Sequence, residues 1–215
     1  MHRLLFPSLI LAIALCWSHG TLAEGKPLVG VSVAPVGYLV GVIGGDEVDV
    51  AVTVAPGQSP ATYEPSVQQL QGLRQAKIYF RVGVPFEDRF LPKLTKLFPR
   101  LKVVDLREGI TLRQLGEHHH HDHHSEAGHV DRVHQHNELD PHIWTAPENM
   151  VAMAEVVATA LKGIVPDGVL KRRFNQFKQD MIDLHQAAKS RLKNYTGKSF
   201  YVFYPSWGYF ADAYG

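Results

Sequence analysis

Between Glu117 and His142 the chain reads EHHHHDHHSEAGHVDRVHQHNELDPH, and ten of its 13 histidines fall in that span. They are His118, His119, His120, His121, His123, His124, His129, His134, His136 and His142, with Glu117, Asp122, Glu126, Asp131, Glu138 and Asp140 threaded among them. Neutral imidazole is the commonest transition-metal ligand and suits zinc, copper and nickel. With a reference pKa of about 6.5, most of these rings are unprotonated near pH 7 and free to bind. The span has almost no apolar residues and cannot bury itself, so 117–136 reads as a flexible, solvent-exposed, metal-collecting loop. A purification tag sits at a terminus and is not mixed with acids. An inert polar insertion and a pH-responsive tether remain as the bland readings. Composition does not choose the metal, because affinity at nitrogen and oxygen sites rises toward copper whatever the biology.

The loop runs into a second motif, Asp140-Pro141-His142-Ile143-Trp144. Proline stiffens the approach to His142, and Asp140 is placed to orient its ring. A lone histidine near a helix start is more often a structural hydrogen-bonding group; the neighbouring cluster raises the ligand reading, since metal sites need convergent donors.

Elements must carry these groups to one place. Pro27–Val33, Val48–Val54, Lys77–Val82 and Leu101–Leu106 read as strands. Gly37–Ile43, a helix opened by Pro65 and reaching Gln75, and Phe86–Phe98 read as the helices between them, with a break or restart at Pro92. Val67, Leu70 and Leu73 are expected on the inner face of the second helix, and Phe90, Leu94 and Leu97 on that of the third. Strands alternating with helices predict an α/β fold with a mainly parallel sheet. Ligands in such sheets gather beyond the carboxyl ends of the strands, where the histidine span follows the fourth strand.

Downstream, Thr145-Ala146-Pro147-Glu148 reads as a capping-box start of a helix to Leu161, and Asp167 as the N-cap of the next. Leu170, Phe174, Phe177, Met181, Leu184 and Ala188 then recur as one apolar stripe on a helix of about 25 residues, long enough to link two lobes. Lys198–Phe203 reads as a strand and Trp207–Gly215 as a helix, which announce a second lobe without completing it. The expected organisation is a leader over 1–23, an N-terminal α/β lobe over 24–144, helices over 145–196 and the start of a C-terminal lobe over 197–215.

Met1–Arg3 is cationic, Leu4–Trp17 is apolar, and Thr21 and Ala23 suit a cut after Ala23, so the start reads as a secretory signal peptide. The competing reading, an uncleaved membrane anchor, is disfavoured by the shortness of the apolar run. The single cysteine, Cys16, lies in that leader, which leaves disulfides no part. Leu15 is too large for the residue before a lipid-modified cysteine, so a soluble periplasmic or secreted product is preferred over a lipoprotein. Removing the leader leaves 21 basic and 21 acidic residues, a balance that gives no reason to expect nucleic acid or anionic membrane.

The leader, Gly57-Gln58-Ser59-Pro60-Ala61-Thr62-Tyr63-Glu64-Pro65, the acidic histidine loop, Asp140-Pro141-His142-Ile143-Trp144, the long helix and Tyr201-Val202-Phe203-Tyr204-Pro205-Ser206-Trp207-Gly208-Tyr209-Phe210 occur together in one order. In this the chain resembles the periplasmic zinc- and manganese-binding proteins of ABC importers, the adhesin-like cluster. The resemblance implies two α/β lobes joined by a rigid helix, one metal ion in the cleft, and a histidine loop typical of the zinc-handling members. It also implies histidines where this chain has Ala61 and Tyr204, and an acidic ligand from the second lobe beyond Gly215. Only His142 matches a family ligand in kind, so the closed tetrahedral site is not assembled from these residues. Binding is expected to rest on His142 with loop histidines His118, His119, His120, His121, His123 and His124, and with Glu64 and Tyr204 as further donors.

The expectation is a monomeric, non-enzymatic binding protein that captures Zn²⁺, with Mn²⁺ or another divalent transition metal as alternatives, and passes it to an ABC permease in the inner membrane. A periplasmic metal buffer or chaperone without a transporter is the alternative. A zinc hydrolase is disfavoured, because the chain has no HExxH helix and no nucleophile elbow.

Overall fold

The computed structural model describes residues 25–115 and 139–215, so the leader and the loop histidines His118 to His136 lie outside the described residues. Four strands, β1 (Leu28–Val31), β2 (Asp49–Val52), β3 (Ala76–Arg81) and β4 (Lys102–Asp105), form one parallel sheet in the order β2-β1-β3-β4. The α/β fold and parallel sheet read from the alternating pattern are those found.

Strand β1 is central because its residues suit burial on both faces. Val29 and Val31 are fully buried, and Gly30 leaves room for the Tyr79 ring, which a Cβ there would meet at 2.6 Å. The chain leaves β1 toward β2, then crosses back to β3 and on to β4. The direction of winding therefore reverses between β1 and β3, the place where α/β sheets open a crevice at their carboxyl ends.

Helix α1 (Ala34–Gly44) buries Val36, Leu39, Val40 and Ile43, and begins before Gly37 because Pro35 sits in its first turn. Helix α2 (Val67–Gly72) is shorter than expected. Its N-cap is Ser66, whose Oγ accepts from Gln69 N while Gln69 Oε1 accepts from Ser66 N, and the turn Leu73–Gln75 completes it. Val67 is exposed rather than inward, and Leu73 takes the buried position. Helix α3 (Phe86–Leu97) runs without interruption through Pro92. Phe90, Leu91 and Leu94, buried on either side of that proline, hold the two halves in line, while Leu97 points to solvent.

Helix α4 (Pro147–Ala160) has Ala146 as N-cap with no side-chain cap. Thr145 belongs instead to the single turn Ile143–Thr145, where its hydroxyl donates to the His142 carbonyl, so the expected capping box does not form. Pro147 in the first turn fixes the start in its place. Helix α5 (Asp167–Leu192) begins after Pro166, and Asp167 lies within its first turn rather than capping it. Its 26 residues span about 39 Å at 1.5 Å each. Leu170 and Phe177 are buried, Phe174 and Met181 pack partly against the core, and Leu184 is exposed. The stripe is thus used over its first half only.

No strand forms at Lys198–Phe203, which corrects the sequence reading: the segment has no regular structure, bends at Phe203, and pairs with no strand among the described residues. Helix α6 (Gly208–Tyr214) follows. Strands β2 and β4 are the two sheet edges, and a groove of about 430 Å³ runs along β4 between Lys102–Asp105 and Glu155, Val156 and Thr159 of α4.

Phe177 locks α5 onto the core, so Phe177→Ala is expected to destabilise by about 3–5 kcal/mol. Leu184→Ala, on the same stripe but exposed, should stay within about 0.5 kcal/mol of the parent. Urea unfolding followed by circular dichroism checks both.

Candidate metal site

His142 stands between β4 and α4 and is nearly buried, at 7% exposure. Its Nδ1–H donates to Asp140 Oδ1 at 2.7 Å, and its backbone N–H donates to the same oxygen at 3.0 Å. A carboxylate only accepts, so the proton is fixed on Nδ1 and Nε2 keeps a free lone pair. The Trp144 ring packs edge-on at 5.3 Å between centroids, and Tyr204 does so at 5.4 Å. These contacts hold the imidazole in one orientation, as a metal ligand requires.

Asp140 itself is 1% exposed. Burial pushes its carboxyl up, but the hydrogen bonds from the His142 ring and backbone and the charge of Arg113 outweigh that and hold it below the usual range. Arg113 Nη1 lies 3.4 Å from Oδ2. The chain around this carboxylate is closed by Arg113 O, which accepts from Asp140 N at 2.9 Å, and by the antiparallel bridge Gln114–Leu139. The described segments on either side of residues 116–138 therefore meet beside His142.

A second buried polar cluster sits at the carboxyl ends of β1 and β3, and nothing in the sequence singled it out. Tyr79 Oη lies 3.0 Å from Ser32 Oγ, whose single proton goes to Glu87, and 2.9 Å from Thr53 Oγ1. Glu87, fully buried, accepts from Ser32 Oγ, Val82 N, Gly83 N and Arg81 Nε. Burial drives the Glu87 carboxyl above its ordinary range, against the pull of those donors. The cluster reaches the 56–66 loop through Gln69, whose Nε2 donates to Thr53 O and Tyr63 Oη. The signal that could have found it is a run of polar residues (Ser32, Thr53, Glu87) each placed just after a strand or in the turn that follows.

The structure brings His142 and Tyr204 together, ring against ring. Glu64 is exposed in the 56–66 loop, and among the described residues no group of three or more His, Cys, Asp or Glu converges. His118, His119, His120, His121, His123 and His124 lie outside the described residues. His185, on α5, stands 3.0 Å from Glu148 Oε1 and stacks on Tyr214, a link between α4, α5 and α6 that needs no ligand. The groups brought together are thus one oriented imidazole and the Tyr204 ring beside it, short of the donors a closed site needs.

The model of the family described as "Zinc-uptake complex component A periplasmic" matches residues 29–215. The high-affinity zinc uptake system protein ZnuA of Yersinia pestis is 27% identical over 199 residues, covering 86% of this chain and 62% of its own length. The zinc-binding lipoprotein AdcA of Streptococcus pneumoniae strain R6 is 26% identical over 217 residues, covering 99% of this chain and 42% of its own. The crystal structure of a zinc-bound ZnuA deletion mutant superposes with a TM-score of 0.74 at 31% identity, over 88% of this chain and 67% of that one. The chain thus spans between about two fifths and two thirds of the length of these proteins.

Burial places the folded Glu87 pKa above that of an unfolded glutamate, about 4.3, so in the window between the two the unfolded chain has released a proton that the folded chain still holds. The folded state then binds more protons, so stability falls as pH rises toward the Glu87 folded pKa. Unfolding midpoints measured between pH 4 and neutrality should show that decline, and Glu87→Gln should flatten it. Glu87→Ala, which strands the Val82 and Gly83 N–H groups, should cost about 3 kcal/mol.

Proposed function

Because the chain belongs to the zinc-uptake complex component A (ZnuA) family, we propose that it captures Zn²⁺ outside the cytoplasm and hands it to an ABC permease in the inner membrane. The observation that carries this reading is the His142 imidazole, held by Asp140 with Nε2 free and Tyr204 against its face. It acts as a carrier, with Zn²⁺ as cargo and no chemical step. Its relatives named for zinc uptake and zinc binding support zinc over Mn²⁺ and other divalent ions.

In this reading His142 is the innermost ligand. His118, His119, His120, His121, His123 and His124 raise the local metal concentration and complete the coordination sphere. Glu64 supplies a carboxylate from the 56–66 loop, and Tyr204 a phenol oxygen once the metal displaces its proton. The protein is exported by cleavage after Ala23 and works as a monomer. Residues 24–144 form its first lobe, 145–196 the linking helices and 197–215 the opening of a second. Tyr204 at a position where family resemblance implies a histidine favours one second reading, a buffer that holds zinc loosely without a transporter.

The test is calorimetric titration of zinc into the chain from residue 24 onward, with and without 117–136. Both forms should bind, the shortened one fewer ions, and His142→Ala should weaken the tightest step at least about tenfold. Failure of both forms to bind below millimolar zinc overturns the proposal.

A further inference from the structure

Asp140 presents two oxygens to its surroundings, and they face different partners. Oδ1 takes both donors of His142, the ring Nδ1 and the backbone N–H. Oδ2 has one partner among the described residues, Arg113 Nη1. Without that guanidinium Oδ2 is a buried, unpaired oxygen, and the carboxylate is free to turn, carrying Oδ1 away from the imidazole.

The same arginine reaches the far end of the chain. Its Nε lies 3.1 Å from Asp212 Oδ2 on α6, close enough for an ion pair though not aligned for a hydrogen bond. Its guanidinium lies over the Tyr209 ring and is packed so closely on Gly208 that a Cβ there would fall 1.3 Å from Nη1. Tyr209 Oη accepts from Arg113 N at 3.1 Å and donates to Asp140 O at 3.0 Å. Three segments far apart in sequence, at 113, 140 and 208–212, are thus knitted around one side chain. Just before α6 lies the bend with Tyr204, which pairs with no strand among the described residues yet meets His142.

We propose that Arg113 is a positioning residue for zinc capture: shared between Asp140 and Asp212, it locks the His142 ring in its ligand tautomer and draws α6, with Tyr204 ahead of it, to that ring. The zinc part of this rests on the carrier reading above. A guanidinium holds its donors in a rigid planar fork, whereas a lysine ammonium is a point charge with no fixed donor plane, so the residue type matters as well as its charge.

The experiment measures zinc affinity by calorimetry, and the ¹⁵N spectrum of the His142 ring in the metal-free chain, for Arg113→Met, Arg113→Lys, Asp212→Asn and the Arg113→Met/Asp212→Asn pair. Arg113→Met should lower affinity about tenfold and turn the single Nδ1–H tautomer into a mixture. Arg113→Lys and Asp212→Asn should each lose about threefold, and the double variant no more than Arg113→Met alone. Parent affinity and an unchanged His142 spectrum in Arg113→Met overturn the proposal, as do additive losses in the double variant. Asp212 is at the exposed rim, so Asp212→Asn retains the fold and decides the matter if Arg113→Met does not fold: an unaltered affinity and spectrum there overturn it too. If the parent chain fails to bind zinc, the carrier reading falls, while the metal-free spectra still judge Arg113.

Discussion

Asp140 is a carboxylate taken out of water, and the surroundings of His142 are arranged to keep it charged. Burying an isolated carboxylate is costly, and such a group ordinarily takes up a proton instead. Here two donors from His142 and the Arg113 guanidinium outweigh burial. The consequence passes outward through the ring. A charged acceptor on Nδ1 dictates where the imidazole proton resides, and so which nitrogen is left to meet a cation. Remove the charge and the site loses its direction before it loses any ligand.

Glu87 shows the opposite outcome from similar ingredients. It too is buried and accepts several hydrogen bonds, yet its carboxyl is pushed up rather than down. Its first partners are neutral hydroxyl and backbone donors, with Arg81 contributing least of those that lower it. Asp140 has a histidine in direct contact and an arginine behind it. Two acids in one small lobe are thereby divided between tasks. One braces the crevice between β1 and β3 and ties the 82–83 turn to α3, and the other orients the imidazole proposed as a metal ligand.

The sheet was legible because four short β-rich runs alternate with helical ones, a local pattern that tertiary contacts do not overturn. The errors fall where tertiary contacts decide. Pro92 reads as a helix breaker, but Phe90, Leu91 and Leu94 bind the helix to the core on both sides of it. Thr145 reads as a cap, but the turn after His142 claims its hydroxyl. Lys198–Phe203 has the composition of a strand and no strand to pair with among the described residues. At the site, Asp140 and His142 were readable because only Pro141 separates them. The contact between His142 and Tyr204, and the cluster of Ser32, Thr53, Tyr79 and Glu87, join residues tens of positions apart, and only the fold reveals them.

The outer margin of β4 carries one more consequence. An unpaired parallel strand offers its backbone groups to any extended chain, which is how sheets from separate molecules fuse. Along this margin Lys102, Asp105, Glu108 and Glu155 line the groove with charges of both signs. An incoming strand would have to strip water from them to add to the sheet. A polypeptide that folds among crowded neighbours gains from such a guard against aggregation, and here it is built from side chains that stand apart from His142.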